Sequence, residues 1–316
     1  MFDLPLSSRL RFIGGVRYET TDLSTISQDS TVERGELEEQ DLLPSVNLIY
    51  ALKSNMNIRA AFTKTLARPT FREIAPFESF AFINSEFLIG NPDLERTLID
   101  NFDLRWEWFM SPGEIIAISG FYKRLTNPIE RTILNTNNQV QYKNVDNADV
   151  YGLEFEVRKQ LGDSSSPFRH FNVGANFTIV ESKVDIATSE LEIRRAVDES
   201  ADDTRSLQGQ SPFLLNLDVT YSNSESKTTL SLSFNTFGDR LSSVSIGGTP
   251  DVLERRRNQL NFNASQAIFN FLTLKFGVKN ILNDSYTESY EFKGDEFIYQ
   301  EYKLGRVYSF GASYSL

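Results

Sequence analysis

Cysteine is absent from the 316 residues, which excludes disulfides, thiolate metal sites and a cysteine nucleophile. The absence of thiols is typical of proteins in an oxidising compartment. The single histidine, His170, can neither build a multi-histidine metal site nor supply a convincing general base. Basic residues are outnumbered, and the net charge of −11 argues against a nucleic-acid partner. We therefore expect no catalytic activity and no bound cofactor.

Long hydrophobic runs are also missing. The mean hydropathy is −0.32, and no window approaches the roughly 18 consecutive apolar residues of a membrane-spanning helix. A helical membrane protein is therefore excluded. The opening MFDLPLSSRL lacks the basic and apolar regions of a secretory signal. If the protein is exported, we expect this chain to be a fragment or a processed piece.

The chain has instead a repeated alternation of apolar and polar side chains. Its last segment, GRVYSFGASYSL, places Tyr308, Phe310 and Tyr314 on one parity and Gly and Ser on the other. This pattern predicts a strand with two unlike faces. About twelve segments show it, each near the length that a tilted membrane-spanning strand needs, and none shows a sustained helical period.

The connections between these segments alternate in length. Tight turns near 53–56, 111–114, 222–226 and 269–271 alternate with long polar segments near 22–41, 66–96, 127–147, 185–206, 241–256 and 283–304. Short and long connections therefore lie at opposite ends of the predicted sheet. Outer-membrane barrels have this asymmetry, with short periplasmic turns and long extracellular loops.

A soluble β-sandwich or solenoid also alternates apolar with polar residues, so three further features decide between the classes. Tyr and Trp mark the ends of the apolar faces, as in Tyr18, Tyr50 and Trp106. The apolar parity is almost free of charge, and the opposite parity carries many charged residues. These features predict an all-β, antiparallel transmembrane β-barrel in which one meander sheet pairs every strand with its sequence neighbour. Its predicted lipid-facing residues include Leu104, Phe155, Leu217, Leu232 and Leu274.

Four segments resemble the C-terminal half of TonB-dependent outer-membrane receptors, and among these they are similar to the Bacteroidetes-type members. They are AAFTKTLARPTFREIAPF at 60–77, the string from GNPDL to NPIE at 90–130, DVYGLEFEVRKQL at 149–161 and FGVKNILNDSY at 276–286. The resemblance implies that residues 1–316 are about twelve strands of a barrel of 22. It also implies that the plug domain and the TonB box are absent from this chain. The implied location is the bacterial outer membrane, among lipid and lipopolysaccharide.

The resemblance implies a function for the parent protein. It would take up a scarce large solute, such as a ferric siderophore, cobalamin or a glycan, with its plug domain and with energy from TonB. The chain alone would transport nothing actively. Two alternatives stay open: a self-contained outer-membrane pore or structural barrel of about twelve strands, and a soluble all-β binding module.

The tail resembles the family's assembly signal, which implies recognition by the barrel assembly machinery. The matching residues are Gly311, Tyr314 and the terminal hydrophobe Leu316, where the family usually has Phe.

Three loop clusters are weaker candidates for sites. The first consists of Arg68, Phe71, Arg72, Phe77, Phe80 and Phe82. Its charges and aromatic rings could bind an anionic or aromatic ligand, although packing within the loop also explains the cluster. Asp198, Asp202 and Asp203 could hold calcium or could belong to a solvated loop. Arg255, Arg256 and Arg257 could contact lipopolysaccharide phosphates or gate a loop.

Overall fold

The computed structural model describes residues 1–26, 34–80, 86–134, 139–162, 165–197, 199, 201–246, 249–269 and 271–314. The first strands in chain order are β1 (Phe2–Pro5), β2 (Leu10–Thr25), β3 (Gly35–Lys53), β4 (Met56–Ala67), β5 (Glu78–Phe80), β6 (Phe87–Ile89), β7 (Thr97–Ser111), β8 (Glu114–Thr126), β9 (Ile129–Ile133), β10 (Gln139–Asn144) and β11 (Asn147–Leu161). The others are β12 (Phe171–Asp185), β13 (Thr204–Arg205), β14 (Phe213–Asn223), β15 (Thr228–Phe237), β16 (Arg240–Ser245), β17 (Val252–Glu254), β18 (Asn258–Phe269), β19 (Leu272–Lys279), β20 (Ser285–Phe292), β21 (Asp295–Lys303) and β22 (Val307–Tyr314).

A fourteen-stranded antiparallel sheet forms the wall. Its order is β1-β2-β3-β4-β7-β8-β11-β12-β14-β15-β18-β19-β22, and β13 pairs with the end of β12. Apart from the short β1 and β13, these strands are the twelve alternating segments of the sequence, so the predicted all-β meander is confirmed. Within the described residues, β1 and β22 are the two edges of this wall.

The register of the wall gathers the apolar parity on one face. Phe62 stands opposite Phe102, which stands opposite Tyr122, and this row continues to Tyr151. The five residues predicted to face lipid are all exposed, between 37% and 59%. An apolar and aromatic outer surface of this kind fits a hydrocarbon surround.

The prediction of a single sheet is wrong. The long connections carry eight strands that form a second sheet, in the order β21-β20-β17-β16-β9-β10-β6-β5. It consists of four hairpins, and two of the contacts between them are parallel, β10 with β6 and β16 with β9. We call it the loop sheet. Strands in connections that are far apart in the sequence pair with each other, so the expectation that every strand pairs with its sequence neighbour does not hold for the long connections.

Turn chemistry explains the tight ends. In the β7–β8 turn Gly113 has φ of +85°, a left-handed value that glycine adopts without strain. The β20–β21 hairpin turns on Lys293 and Gly294, which both have positive φ, as a two-residue turn of type I′ requires.

Two helices lie in the long connections, α1 (Phe71–Ile74) and α2 (Thr188–Val197). The Thr70 backbone N–H donates to the Glu73 carboxylate at 2.7 Å, which closes a capping box at the start of α1. Neither helix of the described residues is long and apolar enough to cross a membrane.

The most deeply buried side chains lie at the long-connection end of the molecule. They include Ile74, Leu94, Val140, Val184, Val244 and Val252, each at most 2% exposed. The long connections therefore have a packed core of their own, beneath and within the loop sheet.

Candidate ligand-binding lumen

The polar face of the wall carries a row of paired charges, which we call the charge row. Arg59 on β4 donates to Glu107 on β7, and Arg105 pairs with both Glu107, at 3.4 Å, and Glu156 on β11, at 2.6 Å. Glu107 is only 4% exposed. Because arginines and glutamates alternate along the row, the charges satisfy one another on a face that needs water or polar protein against it.

A cavity of about 640 Å³ lies on the wall towards the long connections, and we call it the lumen cavity. The Lys123 ammonium donates to Asn101 at 2.7 Å and lies 5.9 Å from the centre of the Phe121 ring. Across the cavity, Arg240 lies 4.7 Å from the Phe237 ring. The lumen cavity thus places two cations beside two aromatic faces, although Arg240 is also paired with Glu254 at 2.6 Å and the Glu154 carboxylate belongs to the lining. Cations beside aromatic faces can bind a ligand that is anionic, aromatic or both.

Two more cavities continue from the lumen cavity into the long connections. The first, of about 540 Å³, shares Val180, Gln210 and Arg240 with the lumen cavity. The second, of about 710 Å³, shares Pro250, Asp251 and Glu291 with the first. The three form a row that leads from the wall into the loops.

The loop sheet is tied together by an ionic cluster around Glu86. Arg131 on β9 pairs with Glu86 at 2.5 Å and donates to Ser243 on β16, while the Tyr299 hydroxyl of β21 donates to Glu86 at 2.7 Å. Burial alone would lower the pKa of Arg131, but the bond to Glu86 raises it. Burial and the bond to Glu86 both raise the pKa of Tyr299. The cluster connects strands from several long connections.

A second cluster fixes the 185–206 connection. Arg205 binds both oxygens of Glu130, at 2.6 and 3.0 Å, and also contacts Glu190 at 3.2 Å. Arg194 on α2 pairs with Glu190 at 2.8 Å and with Asp251 at 2.9 Å. Burial would lower the pKa of Arg205, whereas the bonds to Glu130 and Glu190 raise it. Sequence reasoning did not identify Glu130 or Arg205, which are separated by many residues of chain and follow no spacing rule.

The predicted 66–96 ligand cluster is partly visible. Arg68 is drawn to the wall, where it bonds Glu19 at 2.5 Å and Thr21 at 2.6 Å. Arg72 donates to Ser79 at 3.2 Å. Phe71 and Phe77 are 64% and 53% exposed. The Phe80 backbone ends β5 but its side chain lies outside the description, and Phe82 lies outside the described residues. Ligand binding here stays a prediction.

The calcium hypothesis also stays a prediction. Asp198 lies outside the described residues, whereas Asp202 and Asp203 are exposed. Among the described part of the chain, no group of three or more acidic or histidine side chains is placed to hold a metal ion.

The three consecutive arginines contact the protein itself. Arg255 lies within 3.1 Å of Asp239, Glu291 and Glu296. Arg256 and Arg257 lie over the rings of Phe213 and Tyr286, at 5.9 and 5.8 Å. These contacts join the loop sheet to the top of the wall.

The predicted assembly residues lie on the last strand. Gly311 pairs with Lys275, and the Tyr314 ring lies 5.4 Å from that of Phe271. Leu316 lies outside the described residues. Their role in assembly stays a prediction.

Comparison with known proteins places this fold. Residues 1–281 match the family model described as TonB dependent receptor-like, beta-barrel. A mutant of the ferric enterobactin receptor from Pseudomonas aeruginosa aligns with 15% identity and a TM-score of 0.62, covering 99% of this chain and 44% of that one. The siderophore receptor PiuA from Acinetobacter baumannii aligns with 11% identity and a TM-score of 0.65, over 99% and 42%. The ferric yersiniabactin uptake receptor FyuA from Yersinia pestis aligns with 12% identity and a TM-score of 0.61, over 99% and 44%.

The chain therefore spans less than half the length of these solved structures. A search of curated proteins finds no match.

Proposed function

Because the chain belongs to the TonB-dependent receptor-like β-barrel family, we propose that it forms part of the barrel of a receptor that takes up a ferric siderophore. The protein is a bacterial outer-membrane protein. The long connections face the cell exterior in this proposal, and the short turns face the periplasm. Cobalamin and glycans are the other solutes to be tested.

The lumen cavity carries the proposal. A ferric siderophore presents oxygen-rich groups that are often anionic and, in catecholates, aromatic. Lys123 beside Phe121 and Arg240 beside Phe237 offer charge and stacking to such groups. The structures with similar folds include receptors for ferric enterobactin and ferric yersiniabactin, which supports this solute class.

The charge row suits the proposed partners. In a receptor of this family a plug domain fills the barrel, and TonB supplies the energy that moves it. Arg59, Arg105 and Glu156 present polar, hydrogen-bonding groups to whatever fills the lumen. A polar protein surface can satisfy such a wall, whereas an apolar filling would leave its charges without water.

The test is iron uptake in a strain that lacks its own siderophore receptors. We expect the complete receptor whose barrel includes this chain to support uptake of at least one ferric siderophore, and we expect deletion of TonB to abolish it. The chain expressed alone should transport nothing actively. Changing Lys123→Gln together with Arg240→Gln should reduce uptake about tenfold, as expected for lost charge-assisted contacts. Lys275→Gln, on a part of the wall outside the lumen cavity, is the matched control.

Parallel assays with cobalamin and glycans identify the solute. Transport of either one, with no siderophore uptake, would overturn the siderophore proposal. Siderophore uptake that continues without TonB would instead favour a passive pore.

A further inference from the structure

The charged lining of the lumen cavity consists of three side chains, Lys123, Glu154 and Arg240. Arg240 is neutralised by Glu254, which it meets at 2.6 Å. Lys123 donates to the uncharged Asn101 side chain at 2.7 Å. In the part of the chain that the structure describes, neither Lys123 nor Glu154 takes part in an ion pair. The lumen cavity therefore has one free positive charge and one free negative charge.

Glu154 differs in this respect from the acids of the charge row. Glu156, two residues further along β11 on the same face, pairs with Arg105 at 2.6 Å. Glu154 instead stands opposite Ser119 on β8 and Thr178 on β12, two short and uncharged side chains. The wall thus supplies no cation to this half-buried carboxylate. A cationic group of a ligand could therefore form a charge-assisted hydrogen bond with it.

The register separates the two free charges and places an aromatic ring between them. Lys123 stands opposite Val150 on β11, and Glu154 lies four residues further along that strand, which is about 13 Å of strand. Phe121 stands opposite Gly152, between these two levels. Its ring lies so close to Gly152 that an added Cβ there would be 2.7 Å from it. The arrangement suits a ligand whose own charged groups are well separated, and not a small zwitterion.

We propose that the lumen cavity selects a ferric siderophore that carries a free ammonium group. Glu154 binds the ammonium group, and Lys123 binds the oxygen atoms that coordinate the iron. The Phe121 ring lies beneath the part of the ligand that joins them. This inference rests on the proposed function and narrows the class of its solute.

The balance of charge in the lining explains the selection. The free charges of Lys123 and Glu154 cancel, so a ferric complex that is anionic throughout would bring negative groups towards Glu154 and be repelled there. A complex without an ammonium group would cover the Glu154 carboxylate and remove its water without replacing it. Only a ligand with both kinds of group satisfies both side chains.

The test compares two ferric complexes that differ only in the ammonium group. Ferrioxamine B is a hydroxamate complex of iron with a free primary amine, and acetylation of that amine removes its charge but keeps the iron centre. Isothermal titration calorimetry with the complete receptor in detergent measures both affinities. We expect ferrioxamine B to bind about tenfold more tightly than its N-acetyl derivative, because acetylation removes one charge-assisted contact.

Matched variants locate the preference. Glu154→Gln should weaken ferrioxamine B binding about tenfold and leave the N-acetyl derivative unchanged, whereas Glu154→Asp keeps a carboxylate and should keep part of the preference. Lys123→Gln should weaken both complexes equally, since both present the same iron-bound oxygens. Asp103→Asn is the control, because this exposed carboxylate lies opposite Phe121 on the polar face but outside the cavity lining. Heat-modifiable mobility on gels checks that every variant is folded.

Equal affinity of the wild type for the two complexes would overturn the inference, as would binding of neither complex. A preference that survives Glu154→Gln would also overturn it, because another group would then bind the ammonium. The proposed function is tested separately by uptake. A receptor that takes up ferric siderophores without preferring an ammonium group would refute only this inference, whereas a receptor that takes up none would refute the proposed function.

Discussion

Arg205 and Glu130 face each other through two hydrogen bonds of 2.6 and 3.0 Å, with side chains only 8% and 2% exposed. Glu130 also accepts the Gln208 backbone N–H at 3.0 Å. A carboxylate and a guanidinium so far from water are stable only together. This pair fixes the 185–206 connection against the β9–β10 hairpin.

Removing one member of that pair should loosen the loops. We expect Arg205→Gln to cost about 3–5 kcal/mol locally, because it leaves the Glu130 charge buried and unpaired. Hydrogen exchange of the amides in residues 186–208 should then accelerate by about a hundredfold or more. Arg158→Gln is the control. The Arg158 side chain is 61% exposed and pairs with Glu156 at 3.0 Å, and such exposed pairs contribute only about 0.2–1 kcal/mol to stability. Equal effects from both changes would contradict this account.

Alkaline pH should weaken the Glu86 cluster. Burial, and then the bond to Glu86, raises the pKa of Tyr299 above its usual value, which is about 10 in an unfolded chain. The stabilisation is therefore fully present below about pH 10 and is lost as pH rises from there through the folded pKa. The absorbance difference at 295 nm between wild type and Tyr299→Phe should show a midpoint well above that of denatured protein. A midpoint near 10 in both the folded and the denatured protein would show that the Tyr299 hydroxyl is not hydrogen-bonded to Glu86 in a buried site.

The two faces of β15 should respond differently to charge. Leu232 is 43% exposed on the outward face, whereas the neighbouring Ser231 pairs with Asn263 on the polar parity. Leu232→Arg places a charge in hydrocarbon at about 2–4 kcal/mol and should reduce the folded fraction in the outer membrane. Ser231→Arg should be tolerated, because the lumen is wet. Heat-modifiable mobility of the extracted protein measures both, and equal damage would contradict a lipid-facing β15.

The predicted 66–96 ligand cluster can be separated into ligand contacts and structural contacts. Phe71→Ala with Arg72→Ala removes groups at exposed positions, so solute affinity should fall while folding is kept. Arg68→Ala should instead release the loop from β2, because Arg68 bonds Glu19 and Thr21. Equilibrium binding of the transported solute, together with protease resistance of the loop, distinguishes the two. Unchanged affinity in the first variant would leave loop packing as the role of this cluster.

The strands of the wall could be predicted from the sequence because the pattern that specifies them is local. Alternation repeats in every long strand, and the tight turns fix which neighbour pairs with which. Phe102 and Leu104 could be assigned to the outer face without any knowledge of distant residues. Twelve of the strands of the wall follow from this rule alone.

The loop sheet could not be predicted from the sequence, because the pairings that join its hairpins are distant and most of its strands are short. Gln139–Gln141 pair in parallel with Phe87–Ile89, and Val244–Ser245 pair in parallel with Thr132–Ile133. Strands of two or three paired residues carry too little alternation to show a face. The Arg205–Glu130 pair was hidden for the same reason, since complementary charges far apart in the chain have no spacing signature.

Because the loop sheet is continuous, its hairpins could not move apart independently of one another. Four hairpins share backbone hydrogen bonds across their borders, so lifting one of them exposes the strand edges of the next. In the proposed receptor a solute would therefore meet one continuous sheet and not four separate loops. Exchanging a single loop for that of a relative would leave unmatched edges on both sides, so changes of specificity in this protein would have to involve neighbouring loops together.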